Sequence, residues 1–126
     1  MQEFILLVLV GFLLKHFVAD YLLQFGWMIA GKGNFRSLGG YVHAGIHALG
    51  SAIVLSMASV PVLALVALIT VEFVIHYMLD YLKIRYSRDI SNTEQPHLFW
   101  ALNGLDQLMH HLTYIGMTYA VVLSVR

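Results

Sequence analysis

The sequence predicts an all-α fold, an integral membrane four-helix bundle built from two parallel helix-pair repeats, and three observations lead there. Of 126 residues, 60% are hydrophobic and 11% charged, far from the composition of soluble domains. Four apolar runs have the roughly 17 to 25 residues that a bilayer crossing needs. One phrase occurs twice, His16-x-x-x-Asp20-Tyr21-Leu22 and His76-x-x-x-Asp80-Tyr81-Leu82, and a second pair, His43-x-x-x-His47 and Asp106-x-x-x-His110, echoes it at a similar offset. The chain is therefore expected to be a single transmembrane domain, residues 1–126, with repeat halves of about 1–60 and 61–126.

The first span is expected at about 4–24. No basic residue precedes its apolar core and no small-residue cleavage site follows, so it is taken as a retained helix and not as a signal. The second and third, about 41–58 and 61–83, form a hairpin through Ala58-Ser59-Val60-Pro61, where Pro61 suits a first helical turn because its missing N–H needs no partner there. Pro96 opens the fourth, about 97–124, in the same way. Residues 25–40 are rich in glycine, with Trp27 and Phe35, and suit an irregular loop or a re-entrant lid better than a regular helix.

Five of the seven Lys and Arg lie in the two polar connections, Lys32 and Arg36 in one and Lys83, Arg85 and Arg88 in the other. The positive-inside rule puts both on the cytoplasmic face of an inner membrane, with both termini outside. Trp27, Tyr41, Tyr81, Tyr86 and Trp100 gather at that face as an interfacial belt. Helices one and three then run the same way, which makes the repeat parallel, with its axis along the membrane normal. A balance of seven basic and seven acidic residues argues against nucleic acid as a partner, and the absence of Cys removes thiolate chemistry.

Residues four apart share a helix face, so each phrase aims two side chains at one object. His16, Asp20, His43, His47, His76, Asp80, Asp106 and His110 all fall in the half of the bundle next to the two loops, and they are the expected metal ligands. An ionised Asp at a helix centre costs about 2.5–3.5 kcal/mol, so three of them need compensation. Two divalent cations offset three aspartates and a bridging hydroxide. His with Asp favours transition metals, Zn first and Fe or Mn as alternatives, over Mg or Ca. Glu72, one turn before His76, is expected either as a catalytic proton carrier or as the ion-pair partner of Lys15. His111 is expected as a helix-contact hydrogen bonder or a reserve ligand, and His97 as an interfacial residue.

Having these phrases, the chain resembles the bacterial and phage membrane-protein family catalogued as domain of unknown function 3307. The resemblance rests on the His16 to Gln24 segment with Asp20, the His43 and His47 pair, the His76 and Asp80 phrase with Lys83, and Asp106-Gln107-x-x-His110. It implies no activity. A weaker similarity of plan is to small membrane-bound metal-dependent hydrolases, which is analogy alone.

The function that fits best is an intramembrane metal-binding protein, a di-metal hydrolase taking a lipid-like substrate from the cytoplasmic leaflet. A metal-ion or proton conductor is the first alternative; it requires polar residues through to the far side, where there are few. The second is a metal-stabilised structural or interaction subunit. The lipid bilayer is the expected partner, with a homo-oligomer as a further expectation.

Overall fold

The computed structural model describes residues 1–126, all in helices and short turns, with no strand. α1 (Gln2–Phe17) continues without a break into a π-helical turn, Val18–Leu22. A short α2 (Gly26–Gly31) follows, and then three long helices, α3 (Leu38–Met57), α4 (Val62–Ser87) and α5 (Pro96–Ser124). Gln2–Leu22, Leu38–Met57 and Val62–Ser87 are long and apolar enough to cross a membrane. α5 has the length and lacks the apolarity, because Asn103, Asp106, Gln107, His110 and His111 interrupt it. Leu6, Leu7, Leu14, Leu49, Met57, Leu63 and Val71 point outward, a distribution of apolar side chains that a soluble monomer avoids and that lipid accommodates.

The helix boundaries have local causes. Ser37 begins α3 by accepting the Gly39 N–H at 3.4 Å. At the other end of α3, Ser59 takes a left-handed φ of 55°, which lets the Val60 N–H reach back to the Leu55 carbonyl at 3.1 Å and closes the helix before Pro61. α4 extends past residue 83 to Ser87, so its last turns carry Lys83 and Arg85.

The glycine-rich segment departs from expectation: residues 26–31 are helical. The reason is close packing. A Cβ at Gly39 would lie 2.7 Å from the Trp27 carbonyl oxygen and 2.9 Å from Met28 Cα, so α2 rests directly on the start of α3, backbone against backbone. That contact holds Lys32, just past α2, over the end of the bundle where the polar residues collect.

α3 packs between α1 and α4, and α5 closes the arrangement against α4 and α1. The interior has two ends of opposite character. Val8, Phe12, Leu55, Val60, Tyr114, Met117 and Val121 fill one, with Leu65, Leu68 and Ile69 packed on them and the Phe12 and Tyr114 rings stacked 5.5 Å apart. The other end holds nearly every buried ionisable side chain.

The α2–α3 contact makes a prediction. Gly39→Ala drives a methyl into backbone atoms and destabilises the protein by about 1–3 kcal/mol, whereas Gly104→Ala, where a Cβ meets nothing within 4 Å, leaves stability unchanged or slightly raised. Thermal unfolding of the two variants in one detergent measures the difference.

Candidate metal centre

Asp20 owes its position to the π-helical turn. One extra residue in that turn shifts the carboxylate round the helix axis, and the Leu23 N–H bonds to the Val18 carbonyl at 2.9 Å instead of continuing the α pattern. As a result Asp20 reaches two helices at once. Its Oδ2 is 3.1 Å from His16 Nε2, one turn back, and its Oδ1 lies 3.1 Å from His43 Nε2 and 2.8 Å from His47 Nε2, both on α3.

Asp80 does the same from α4. Its carboxylate stands 3.4 Å from His76 Nε2, 3.4 Å from His110 Nε2 and 3.6 Å from His43 Nε2. Asp106 Oδ1 is 3.3 Å from His110 Nε2. The His47 and His76 rings stack at 3.8 Å, and His76 lies 4.3 Å from His110. Asp20, His43, His47 and His76 thus form one compact group of ligand atoms, and His76, Asp80 and His110 a second that shares His76.

The spacing within these groups is informative. Bonds of about 2.0–2.1 Å to one ion place neighbouring ligand atoms roughly 3.0–3.4 Å apart. Several of the converging atoms, His43 Nε2, His76 Nε2 and Asp106 Oδ1, are buried and make no hydrogen bond. Buried polar atoms are nearly always paired, so atoms this close and not bonded to one another fit a shared cation. The residues present therefore suit a metal in both number and chemistry.

Two expected ligands stand apart from the groups. His16 faces Asp20, but its Nδ1 pairs with the Tyr114 hydroxyl at 2.8 Å and its Nε2 with Gln107 Oε1 at 2.9 Å. Asp106 turns Oδ2 to Lys83 at 3.2 Å and to the Gln107 amide, leaving Oδ1 beside His110. His111 touches only the edge of His16, and His97 is exposed at the start of α5.

Glu72 is 1% exposed and forms an ion pair with Lys15. The ammonium sits between that carboxylate and the layer of imidazoles, 3.2 Å from His47 Nδ1 and donating to the His47 carbonyl at 3.3 Å, with the Tyr114 ring 4.4 Å away. Glu72 thus meets the site through Lys15 and His47 and does not line the cavity described below. An ammonium inside a helix bundle needs a counterion, and Glu72 is the carboxylate within reach.

Three contributors were not apparent from spacing. Tyr114 continues the Asp106 and His110 stripe by one more turn, a signal the sequence contained, and it floors the site against the apolar end. Lys32 reaches Asp80 Oδ2 at 2.9 Å and Lys83, in the last turns of α4, reaches Asp106, so two lysines counted with the polar connections also touch the carboxylates. A polar cavity of about 400 Å³ opens beside them, lined by Asp20, Gln24, Lys32, Asp80, Lys83, Asn103, Asp106 and Gln107.

A family model described as "Protein of unknown function (DUF3307)" matches residues 8–126, nearly the whole chain, and the chain belongs to that family. No curated protein and no solved structure matches it.

The buried pair gives a testable asymmetry. Glu72→Leu or Lys15→Met alone strands a charge and costs about 3–5 kcal/mol, while the double variant Lys15→Met with Glu72→Leu falls close to wild type. Denaturation of the three variants in detergent checks it, and additive losses would contradict the pairing.

Proposed function

We propose that this chain, from a family whose description assigns no activity, is a membrane-embedded di-metal protein that hydrolyses a lipid-like substrate. One observation carries the reading. Asp20 has three imidazole neighbours and no lysine or arginine within ion-pair distance, in a setting where its own charge is expensive. Neutral imidazoles donate hydrogen bonds without supplying charge. A divalent cation among Asp20, His43, His47 and His76 offsets the carboxylate and uses the unpaired nitrogens.

The second ion takes Asp80 and His110 with the shared His76, and Asp106 Oδ1 stands beside His110. The two repeat halves correspond through these contacts: Asp20 meets His16 and His47 as Asp80 meets His76 and His110. By that correspondence His16 is the counterpart of His76 and joins the second set when its Nε2 exchanges Gln107 for the ion. Zn is the first choice of metal, with Fe and Mn next. The chain is then a four-helix membrane bundle of two parallel repeats, a single transmembrane domain over residues 1–126. Its loops and site face the cytoplasm, and both termini lie outside, as the basic loop residues favour.

When bound, such an ion pair acidifies water and polarises the bond under attack. Within the chain, Asp20, Asp80 and Asp106 line the route in, Tyr114 and the apolar end exclude water from behind, and Glu72 fixes Lys15 and through it His47. The filled apolar end also speaks against a conductor, which needs a wet path to both faces.

Elemental analysis of protein purified in mild detergent tests the reading. Wild type is expected to carry about two transition-metal ions per chain, His16→Ala about one and His76→Ala less than one. Lipid-like ester or phosphoester hydrolysis should vanish with the metal and return on adding it back. Folded wild type with less than about 0.2 ion per chain sinks the metal centre; full loading without turnover leaves a structural metal protein.

A further inference from the structure

We propose that the substrate is an amphiphile with a phosphate head and one hydrocarbon tail, its head under Lys32 and Lys83 and its tail in the groove between α4 and α5. This rests on the di-metal reading and adds the chemical class on which it acts. Two cavities meet at one place. The polar cavity of about 400 Å³ and an apolar groove of about 500 Å³, lined by Leu79, Leu82, Tyr86, Leu98, Leu102 and Leu105, share Lys83 and Asp106. The two other large apolar cavities, around Val8 and around Leu9, share no residue with the polar one. A chain lying in the α4–α5 groove therefore delivers its end group to the carboxylates, and only that groove does so.

Charge selects the head. Lys15 and Glu72 cancel each other. Three aspartates, two lysines and two divalent cations leave three positive charges in a low-dielectric setting, where an anion of matching charge is strongly favoured and a cationic head is excluded. A phosphate monoester dianion offsets two of them. Lys83 stands at the shared rim with its side chain 29% exposed, placed to serve as a point-charge phosphate partner. Hydrolysis there joins the water oxygen to phosphorus and breaks the P–O bond to the alkyl group. One water proton passes to the alkyl oxygen and the other stays on phosphate, so the products are the alcohol and hydrogen phosphate.

The test uses the full chain in phosphatidylcholine nanodiscs, with metal content measured on the same sample. A photoreactive dodecyl phosphate is the probe, and dodecyl phosphate, dodecanol, dodecyltrimethylammonium and inorganic phosphate compete with it. The expected result is labelling of α5 peptides spanning residues 98–105. Dodecyl phosphate should displace the probe at least about tenfold better than the other three, a margin of about 1.4 kcal/mol. Leu102→Trp, which fills the groove, should lose labelling and keep its metal, and Lys83→Met should lose the preference for phosphate over dodecanol. Metal-loaded protein that takes dodecanol as readily, or inorganic phosphate as tightly as dodecyl phosphate, overturns this inference and leaves the metal centre standing. Protein that holds no metal overturns both.

Discussion

A charge inside an apolar bundle has to be neutralised by something else in the bundle, and that constraint organises most of this protein. Lys15 answers Glu72, Lys32 answers Asp80 and Lys83 answers Asp106, each pair joining two separate parts of the chain. Asp20 is the exception, surrounded by imidazoles alone. The lysines that neutralise Asp80 and Asp106 arrive from the loop end, and the one that neutralises Glu72 comes from α1, so the polar interior is layered. Lys15 and Glu72 form a closed inner layer, and above it lies an outer layer of three carboxylates and five imidazoles.

The packing serves that layering. The π-helical turn brings Asp20 within reach of α3, and without it the carboxylate would stay on the His16 face alone. The glycine contact between α2 and α3 lowers Lys32 onto Asp80. On the far side, Tyr114 joins the two regimes, with its hydroxyl on His16 and its ring on Phe12. An apolar floor beneath the carboxylates and imidazoles and a polar cavity above them leave the polar cluster open at one end only.

Much of this was legible in the sequence because a helix converts spacing into direction. His43 with His47, and His76 with Asp80, lie on common faces as four-residue spacing requires, and helices long and apolar enough for membranes appear at the first three of the four expected spans. A π-helical turn depends on tertiary contacts that spacing does not encode, so the α helix expected through the first phrase differs from the structure at Val18–Leu22, the turn that carries Asp20. The helix in residues 26–31 was missed because glycine is a poor helix former, and only contact with α3 outweighs that preference. The targets of Lys32 and Lys83 were not legible, because Lys32 lies in a connection with no period and Lys83 falls where the third helix was expected to end and α4 in fact runs on to Ser87. Tyr114 was within reach of the same four-residue rule that found His110, and an aromatic residue in an apolar helix simply did not stand out.

The central claim is that these imidazoles and carboxylates surround metal ions, and X-ray absorption at the edge of the metal retained by the purified protein tests it most directly. The account predicts a first shell of nitrogen and oxygen at about 2.0–2.1 Å, the outer-shell signature of several imidazoles, and a second metal at about 3.5–4 Å. A shell of oxygen alone, with no imidazole scattering and no neighbouring metal, would contradict it.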